Sequence, residues 1–262
     1  MNPIFFEIGT LSIRWYGVMA ALGFLTASIL LEKNRRFVDG LTKDQCGTMM
    51  IITLIAGILG ARIYHVIEFF HEDGFDKDPV TIFYIHRGGL VFYGGFILAF
   101  ISLVIYTLKN KLDTIRILDI FVPSLTAAHA FGRTGCFLNG CCHGAVTDSF
   151  WGVPAPIGTK LRLAGAMVHP VQLVEAAENV ILCIVFCLLL RKGAKRGTVV
   201  SAYLMTYGVL RFFNEMLRVD EKYILNLTGA QCISLLLIIT GAGLLFYSLH
   251  REKKNACIHN HK

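Results

Sequence analysis

The sequence predicts an all-α membrane protein with about seven transmembrane helices. Of its 262 residues, 55% are hydrophobic and only 16% are charged, whereas soluble domains average about 45–50% apolar and about 25% charged residues. The mean hydropathy is +0.59. An apolar excess over this length indicates burial in lipid, and it argues against a soluble enzyme, a disordered chain and a fibrous repeat.

Seven segments have the length and hydropathy of a spanning helix, which needs about 20 mostly apolar residues. They are residues 14–32, 48–67, 89–108, 117–138, 170–190, 198–216 and 229–249. The fourth ends in a stretch rich in glycine and cysteine, so we expect its helix to break near Gly135 and an irregular glycine-rich segment to lie at membrane depth. We expect residues 1–262 to form a single integral-membrane domain.

The positive charges are distributed unequally between the two sets of loops. Fifteen lysines and arginines follow the first, third, fifth and seventh segments, and six lie in the opposite loops. The positive-inside rule therefore predicts a cytoplasmic C-terminus and, with an odd number of spans, an N-terminus outside. Because topology explains most of the net charge of +7, no nucleic-acid partner is expected.

Four arginines lie in or at the edge of predicted spans, where an ionised group costs about 2.5–3.5 kcal/mol at mid-bilayer. They are Arg14, Arg62, Arg133 and Arg211. Each either snorkels to the interface from a helix end or faces a polar cavity with partners. Polar neighbours in the sequence favour the second alternative for Arg133 and Arg211.

The sixth segment carries a polar stripe, because Tyr207, Arg211 and Glu215 are spaced at i, i+4 and i+8 on one helix face. The arginine and the glutamate form either an internal salt bridge alone or part of a site for a polar headgroup. The fifth segment begins with His169-Pro170 and contains the polar side chains of Gln172, Glu175, Glu178 and Asn179. Its carboxylates are expected to pair with Arg133, Arg62 or Arg14, and the sequence leaves the choice open.

Two glycine-rich stretches complete the set of motifs. The stretch 132–144 contains Arg133 among four glycines, and free backbone amides beside an arginine suit a phosphate. The stretch Gly88–Gly95 opens the third segment, where small residues favour close helix packing, which would also fix Tyr93.

In this order, the motifs resemble the bacterial prolipoprotein diacylglyceryl transferases over nearly the whole chain. The resemblance is carried by Trp15-Tyr16-Gly17, Gly88–Gly95, Gly132–Gly144, His169-Pro170 with Glu175, and Tyr207–Glu215. It implies a multi-pass transferase of the bacterial inner membrane. It also implies transfer of a diacylglyceryl group from phosphatidylglycerol to the lipobox cysteine of a prolipoprotein, with membrane lipids as further partners and no cofactor or metal.

The resemblance also implies roles for particular residues. Arg133 and Arg211 correspond to headgroup-binding cations, and Tyr16 and Tyr207 match tyrosines of the family's catalytic site. The positions that match the family signature and are assigned to substrate binding are Asn139, Gly144 and Glu215.

The chain departs from the family pattern at the positions expected to accept the thiol proton. Cys136 stands where asparagine is usual, Cys141 where glutamate is usual, and Tyr93 where many members have histidine. The remaining candidate bases are Cys141, if a nearby Arg133 lowers its pKa, and His143, whose imidazole can accept a proton. Tyr93 is a candidate hydrogen-bond donor to the leaving phosphate.

Three other interpretations compete with this one. Cys136, Cys141, Cys142 and His143 have the side chains of a metal or redox membrane protein, although their spacing lacks a clear CxxC pair. Intramembrane charges and broken helices are also typical of transporters and channels, but the sequence has no two-fold repeat. The third alternative is a divergent family member that uses another lipid or another acceptor.

Overall fold

The computed structural model describes residues 3–8, 11–84, 88–218, 222–224 and 226–259. In this part of the chain most residues are helical. The helices are α1 (Trp15–Asn34), α2 (Lys43–Glu68), α3 (Phe92–Lys109), α4 (Thr114–Asn139), α5 (Lys160–Leu163), α6 (Val171–Arg191), α7 (Thr198–Glu215) and α8 (Gly229–His259). The strands form three antiparallel pairs, which are β1 (Ile4–Ile8) with β2 (Leu11–Arg14), β3 (Val153–Pro154) with β4 (Met167–Val168), and β5 (Lys222–Ile224) with β6 (Leu227–Thr228).

Six of these helices, namely α1–α4, α6 and α8, are long and apolar enough to cross a membrane. The prediction of an all-α membrane protein is therefore confirmed. The sixth predicted segment forms α7, which has 18 residues but lower hydropathy, because polar side chains such as Arg211 and Asn214 lie in it. The count of seven spans and the orientation of the termini stay predictions.

The chain forms two compact units, one of residues 1–37 with 118–262 and the other of residues 38–117. In the second unit a capping box begins α2, because the Thr42 hydroxyl accepts from the Gln45 amide at 3.2 Å and the Gln45 side chain accepts from the Thr42 amide at 3.0 Å. Gly60 of α2 faces Gly94 of α3 so closely that a Cβ on either would overlap the other's carbonyl oxygen. The predicted close packing around Gly88–Gly95 is thus confirmed, while the single-domain prediction stays a prediction.

In the first unit, α4 continues without a break through Gly132 and Gly135 to Asn139, so the predicted break near Gly135 is wrong. The glycines permit close helix packing instead: a Cβ at Gly135 would lie 3.1 Å from Met19 Cβ, and one at Gly23 would lie 3.1 Å from Phe131 Cβ. This packing offsets the helix penalty of glycine, about 1 kcal/mol. Irregular backbone begins only after the helix ends, at Gly140.

The position of α7 in this unit is fixed from both sides. The Asp119 carboxylate of α4 accepts hydrogen bonds from the amides of Gly197 (2.6 Å) and Val200 (2.9 Å) at the beginning of α7. Along its length α7 packs on α8, where a Cβ at Gly208 would lie 2.8 Å from the Ser234 carbonyl oxygen. The helices that carry the polar residues of the sequence motifs are therefore held at close range.

Candidate functional site

The centre of the candidate site is Glu175, in the second turn of α6. Its side chain is only 4% exposed, and its Oε2 atom lies 2.5 Å from Nε of Arg133 on α4. Its Oε1 atom lies 3.5 Å from Nη1 of Arg211 and 3.5 Å from Nη2 of Arg218. One buried carboxylate is thus shared by three arginines. Of the three arginines that the sequence left open as partners of the α6 carboxylates, Glu175 pairs with Arg133.

A second carboxylate on α7 extends this network. Glu215 Oε2 lies 2.7 Å from Nη1 of Arg211, which confirms the salt bridge expected from the i, i+4 spacing. The other oxygen of Glu215 accepts a hydrogen bond of 2.8 Å from the Thr228 hydroxyl. We call Arg133, Arg211, Arg218, Glu175 and Glu215 the ion-pair network.

Aromatic and imidazole rings border this network. His129 lies one turn before Arg133 on α4, and its Nε2 atom accepts from Arg133 Nε at 3.1 Å. The His129 ring lies 5.6 Å from the ring of Tyr207, which in turn stacks on Tyr203 at 5.5 Å. Tyr207 is therefore brought to the side of the network on which Arg133 lies.

Two arginine nitrogens of the network are buried and make no aligned hydrogen bond within the described residues. They are Nη1 of Arg211 and Nε of Arg218. Nη1 of Arg211 still lies close to two carboxylates, so its charge is neutralised although its hydrogen-bonding directions are not fully used. Buried donors of this kind are suited to a ligand with several acceptor oxygens, such as a phosphate.

The turn after α4 brings three cysteines together. Gly140 and Cys142 have positive φ angles of 77° and 62°, and this reversal places the Sγ atoms of Cys136, Cys141 and Cys142 within 4.8 Å of one another. The Asn139 amide lies 3.6 Å from Cys141 Sγ. Hydrogen bonds from the thiols of Cys136 and Cys142, and from that amide, hold the pKa of Cys141 below its ordinary value.

This turn contacts α6, the residues just before α6 and the residues just after α7. Gln172 of α6 donates a 2.7 Å hydrogen bond to the Cys141 carbonyl, and the Gly144 amide donates to the His169 carbonyl at 2.9 Å. A Cβ at Gly144 would lie 2.5 Å from the Leu217 carbonyl oxygen. Gly144 is thus a point of close backbone approach. His143 follows the cysteines, and its Nδ1 atom lies 2.9 Å from the Gly144 carbonyl.

The two remaining predicted tyrosines lie at helix starts. Tyr16 is the second residue of α1, 48% exposed, and its ring lies close to Gly135, where a Cβ would come within 3.3 Å. Tyr93 is the second residue of α3 and is 50% exposed. Tyr93 belongs to the unit of residues 38–117, whereas the ion-pair network belongs to the other unit.

The other two intramembrane arginines have different environments. Arg62 of α2 is 8% exposed and donates to the backbone carbonyls of Thr81, Ile82, Gly88 and Gly89 at 2.7–3.2 Å. It therefore fixes the connection between α2 and α3. Arg14 is exposed at the end of β2, next to the start of α1, which agrees with the interfacial alternative.

Several residues of the site were not expected from the sequence. The sequence places Arg218 among the loop cations, and in the structure it lies three residues beyond the end of α7. The others are His129, Thr228 and Asn214. Gln172 and Glu178 were named from the sequence, but not their contacts with the Cys141 carbonyl and with the Asn214 amide, the latter at 2.6 Å. For those of these residues that lie in helices, the available signal in the sequence was a polar side chain within an apolar segment.

These observations define a multi-pass helical membrane protein with a buried arginine–glutamate site. The sequence model of the family described as prolipoprotein diacylglyceryl transferase matches residues 3–247. The chain therefore belongs to the prolipoprotein diacylglyceryl transferase family.

Individual relatives agree with this assignment over almost their full length. The chain is 35% identical over 256 residues to a phosphatidylglycerol–prolipoprotein diacylglyceryl transferase of Clostridium botulinum strain Langeland. The aligned residues cover 97% of this chain and 100% of that relative. A protein of the same name from Clostridium kluyveri strain ATCC 8527 is also 35% identical, with coverage of 97% and 99%. A further one, from Clostridium botulinum strain 657, is 36% identical over 241 residues, with coverage of 91% and 95%.

Proposed function

We propose that this protein transfers the diacylglyceryl group of phosphatidylglycerol to the lipobox cysteine thiol of a prolipoprotein. The observation that carries the proposal is the charge of the ion-pair network. Three arginines and two glutamates leave one unit of positive charge, which matches the single negative charge of a lipid phosphodiester. The names of the relatives point to the same donor lipid and the same class of acceptor.

In this proposal Arg133 and Arg211 bind the phosphate oxygens, and they stabilise the negative charge that grows on the phosphate as the glycerol carbon–oxygen bond breaks. Preorganised donors in a site without bulk water are effective at this task. Tyr16 and Tyr207 supply hydroxyl groups beside the same site. Glu175 keeps the arginines close together before the lipid binds.

The signature residues complete the binding site by holding its shape. Asn139 orients Cys141 through its amide, Gly144 permits the backbone to approach Leu217, and Glu215 fixes Arg211 from the α7 side. Their contribution to substrate binding is therefore positional: a change at any of them is expected to shift an arginine or the cysteine turn.

The acceptor thiol has to lose its proton before it attacks the glycerol carbon. We assign this step to the turn after α4, with His143 and Cys141 as the candidate bases. The Nδ1 atom of His143 lies 2.9 Å from the Gly144 carbonyl, and in the tautomer that carries its proton on Nδ1 the Nε2 atom serves as the base. The role of Tyr93 as a hydrogen-bond donor to the leaving phosphate, which the family resemblance implies, stays a prediction.

We further propose that the protein lies in the bacterial cytoplasmic membrane. The excess of lysine and arginine in alternate loops orients the chain with its N-terminus outside. Phosphatidylglycerol then reaches the ion-pair network from the membrane, and the exported lipobox peptide reaches it from the outer side.

The main test is transfer by the purified protein in micelles that contain phosphatidylglycerol and a lipobox peptide, with products identified by mass. A diacylglyceryl adduct on the peptide cysteine is expected. Arg133→Ala and Arg211→Ala should each lower the rate by at least about 100-fold, while Arg162→Ala, which removes an exposed arginine of α5, should not. No adduct under conditions in which a known transferase works would contradict the proposal.

Two further comparisons refine the test. In the first, other phospholipids replace phosphatidylglycerol in the assay. This tests the alternative that the protein is a divergent family member with another donor lipid, which the cysteines at positions 136 and 141 suggest because they depart from the family pattern. The variants His143→Ala, Cys141→Ala and Tyr93→Phe examine the chemical roles, since full activity in any one of them removes the role assigned to that residue.

A further inference from the structure

The three cysteines at the end of α4 have a geometry that the proposed transfer has not used. Their sulfur atoms lie within 4.8 Å of one another, and each is a free thiol. A zinc ion bound at the usual zinc–sulfur distance of about 2.3 Å has its sulfur ligands about 3.8–4.0 Å apart. Side-chain movements of about 1 Å or less therefore bring the three sulfur atoms to the spacing of zinc ligands.

The backbone holds this cluster in place. The Cys141 amide donates to the Cys136 carbonyl at 3.1 Å, and Gln172 binds the Cys141 carbonyl from α6 at 2.7 Å. Cys142 has a φ of 62°, a left-handed conformation that is unfavourable by about 1–2 kcal/mol for a residue with a Cβ atom. Strain of this kind is retained where the surrounding structure requires a particular side-chain direction.

The electrostatic environment suits a cation with anionic sulfur ligands. The Asn139 amide approaches Cys141 Sγ at 3.6 Å, as an outer hydrogen bond to a ligating thiolate. Three thiolates around a divalent ion carry one net negative charge, and Arg133 lies three residues before Cys136 on the same side of α4.

We propose that Cys136, Cys141 and Cys142 bind a zinc ion whose fourth coordination position takes the thiol of the acceptor cysteine. The inference rests on the proposed transfer and adds a means of activating its acceptor. Three protein ligands with one open position are the arrangement of a catalytic rather than a structural zinc site. All-sulfur ligands also favour zinc or copper(I) over magnesium or calcium.

Metal binding deprotonates a coordinated thiol. The proton of the acceptor thiol leaves to water, and the sulfur remains as a zinc-bound thiolate. Its electron pair forms the new carbon–sulfur bond to the glycerol carbon of the lipid, while the bond from that carbon to the phosphate oxygen breaks and its electrons leave with glycerol phosphate. The product thioether is neutral and a weaker ligand, so it dissociates from the zinc. On this account Cys141 acts as a ligand and not as the base.

The first experiment measures metal and requires neither lipid nor turnover. The purified full chain is incubated with zinc, freed of excess, and analysed for bound metal. About one equivalent is expected for the wild type, with a loss of affinity of at least about tenfold in Cys142→Ser. Cys142→His keeps a zinc ligand at the same exposed position and should retain the metal, whereas a folding defect would affect both variants. Cys232→Ser, which changes a free thiol of α8, should bind zinc like the wild type.

The second experiment tests the open position with cobalt(II) as a coloured substitute for zinc. A lipobox peptide should change the sulfur-to-cobalt absorption, and the same peptide with serine for cysteine should not. The proposal is overturned if the wild type binds no zinc, if Cys142→Ser binds it equally well, or if two of the three thiols are found joined in a disulfide in the active protein. Adduct formation without zinc overturns this inference and leaves the transferase assignment intact, whereas zinc binding without any adduct contradicts the transferase.

Discussion

Replacement of Glu175 by glutamine tests whether one carboxylate holds the arginine site together. Glu175 is 3% exposed, and its oxygens lie 2.5 Å from Arg133 and 3.5 Å from both Arg211 and Arg218. At an effective dielectric constant of about 20, such separations correspond to about 5–7 kcal/mol of Coulomb energy per pair. Desolvation offsets most of this, and removal of one partner from a buried ion pair typically destabilises a protein by about 3–5 kcal/mol.

Glu175→Gln keeps the size of the side chain and removes only its charge, so Arg211 retains the carboxylate of Glu215, whereas Arg133 and Arg218 lose the carboxylate with which they form an ion pair. A chain of about 150–250 residues loses about 2–4 °C of Tm for each kcal/mol. The midpoint in micelles, followed by circular dichroism, should therefore fall by at least about 6 °C. Added phosphatidylglycerol should raise the midpoint more in the variant than in the wild type, because the lipid phosphate replaces the missing anion.

The matched control is Glu72→Gln, which removes the charge of an exposed carboxylate after α2 and should leave the midpoint unchanged. A midpoint for Glu175→Gln within about 2 °C of the wild type would refute the claim that Glu175 is the shared counter-ion. An equal response of both proteins to phosphatidylglycerol would refute the claim that the lipid phosphate binds at this network.

Three further substitutions test the supports of the site by thermal unfolding in the same micelles. Gly144→Ala places a Cβ 2.5 Å from the Leu217 carbonyl oxygen and should destabilise the protein by about 1–3 kcal/mol, whereas Gly132→Ala, with nothing within 4 Å, should not; equal midpoints would contradict the close approach. Asp119→Ala removes the acceptor at the start of α7 and should lower stability by about 0.5–2 kcal/mol, with no loss if that contact is absent. Arg62→Lys should increase proteolysis between α2 and α3, because an ammonium lacks the planar fork that reaches four carbonyls; wild-type resistance would contradict this role.

The sequence allowed part of the ion-pair network to be predicted, for a physical reason. Charges are so rare in the apolar segments that each one requires a partner, and the spacing of Arg211 and Glu215 supplies one directly. Arg218 was missed because α7 ends at Glu215, so helical spacing alone did not indicate that the chain turns back towards Glu175. The contact depends on the path of the backbone after the helix, which local patterns do not specify.

The incorrect prediction of a helix break in α4 and the unpredicted approach of the cysteines after α4 have the same cause, which is tertiary packing. Helix propensity predicted a break at Gly135, but the approach of Met19 uses the missing Cβ and keeps the helix intact. The convergence of the cysteines depends on left-handed backbone at Gly140 and Cys142. A non-glycine residue adopts that conformation only when other contacts require it. The sequence therefore grouped these cysteines as candidate ligands by residue type, but their spacing did not predict how closely the three thiols meet.

The first turns of α6 link the two parts of the proposed reaction. Gln172 and Glu175 are three residues apart, so they lie on the same face of the helix. Gln172 holds the carbonyl of the cysteine turn, and Glu175 holds the arginines assigned to the lipid phosphate. Both contacts come from one rigid element, so the spacing between the proposed thiol site and the proposed phosphate site is set by helix geometry. Since attack on the glycerol carbon requires the sulfur and the departing phosphate on opposite sides of one atom, a fixed spacing lowers the barrier by orienting both reactants in advance.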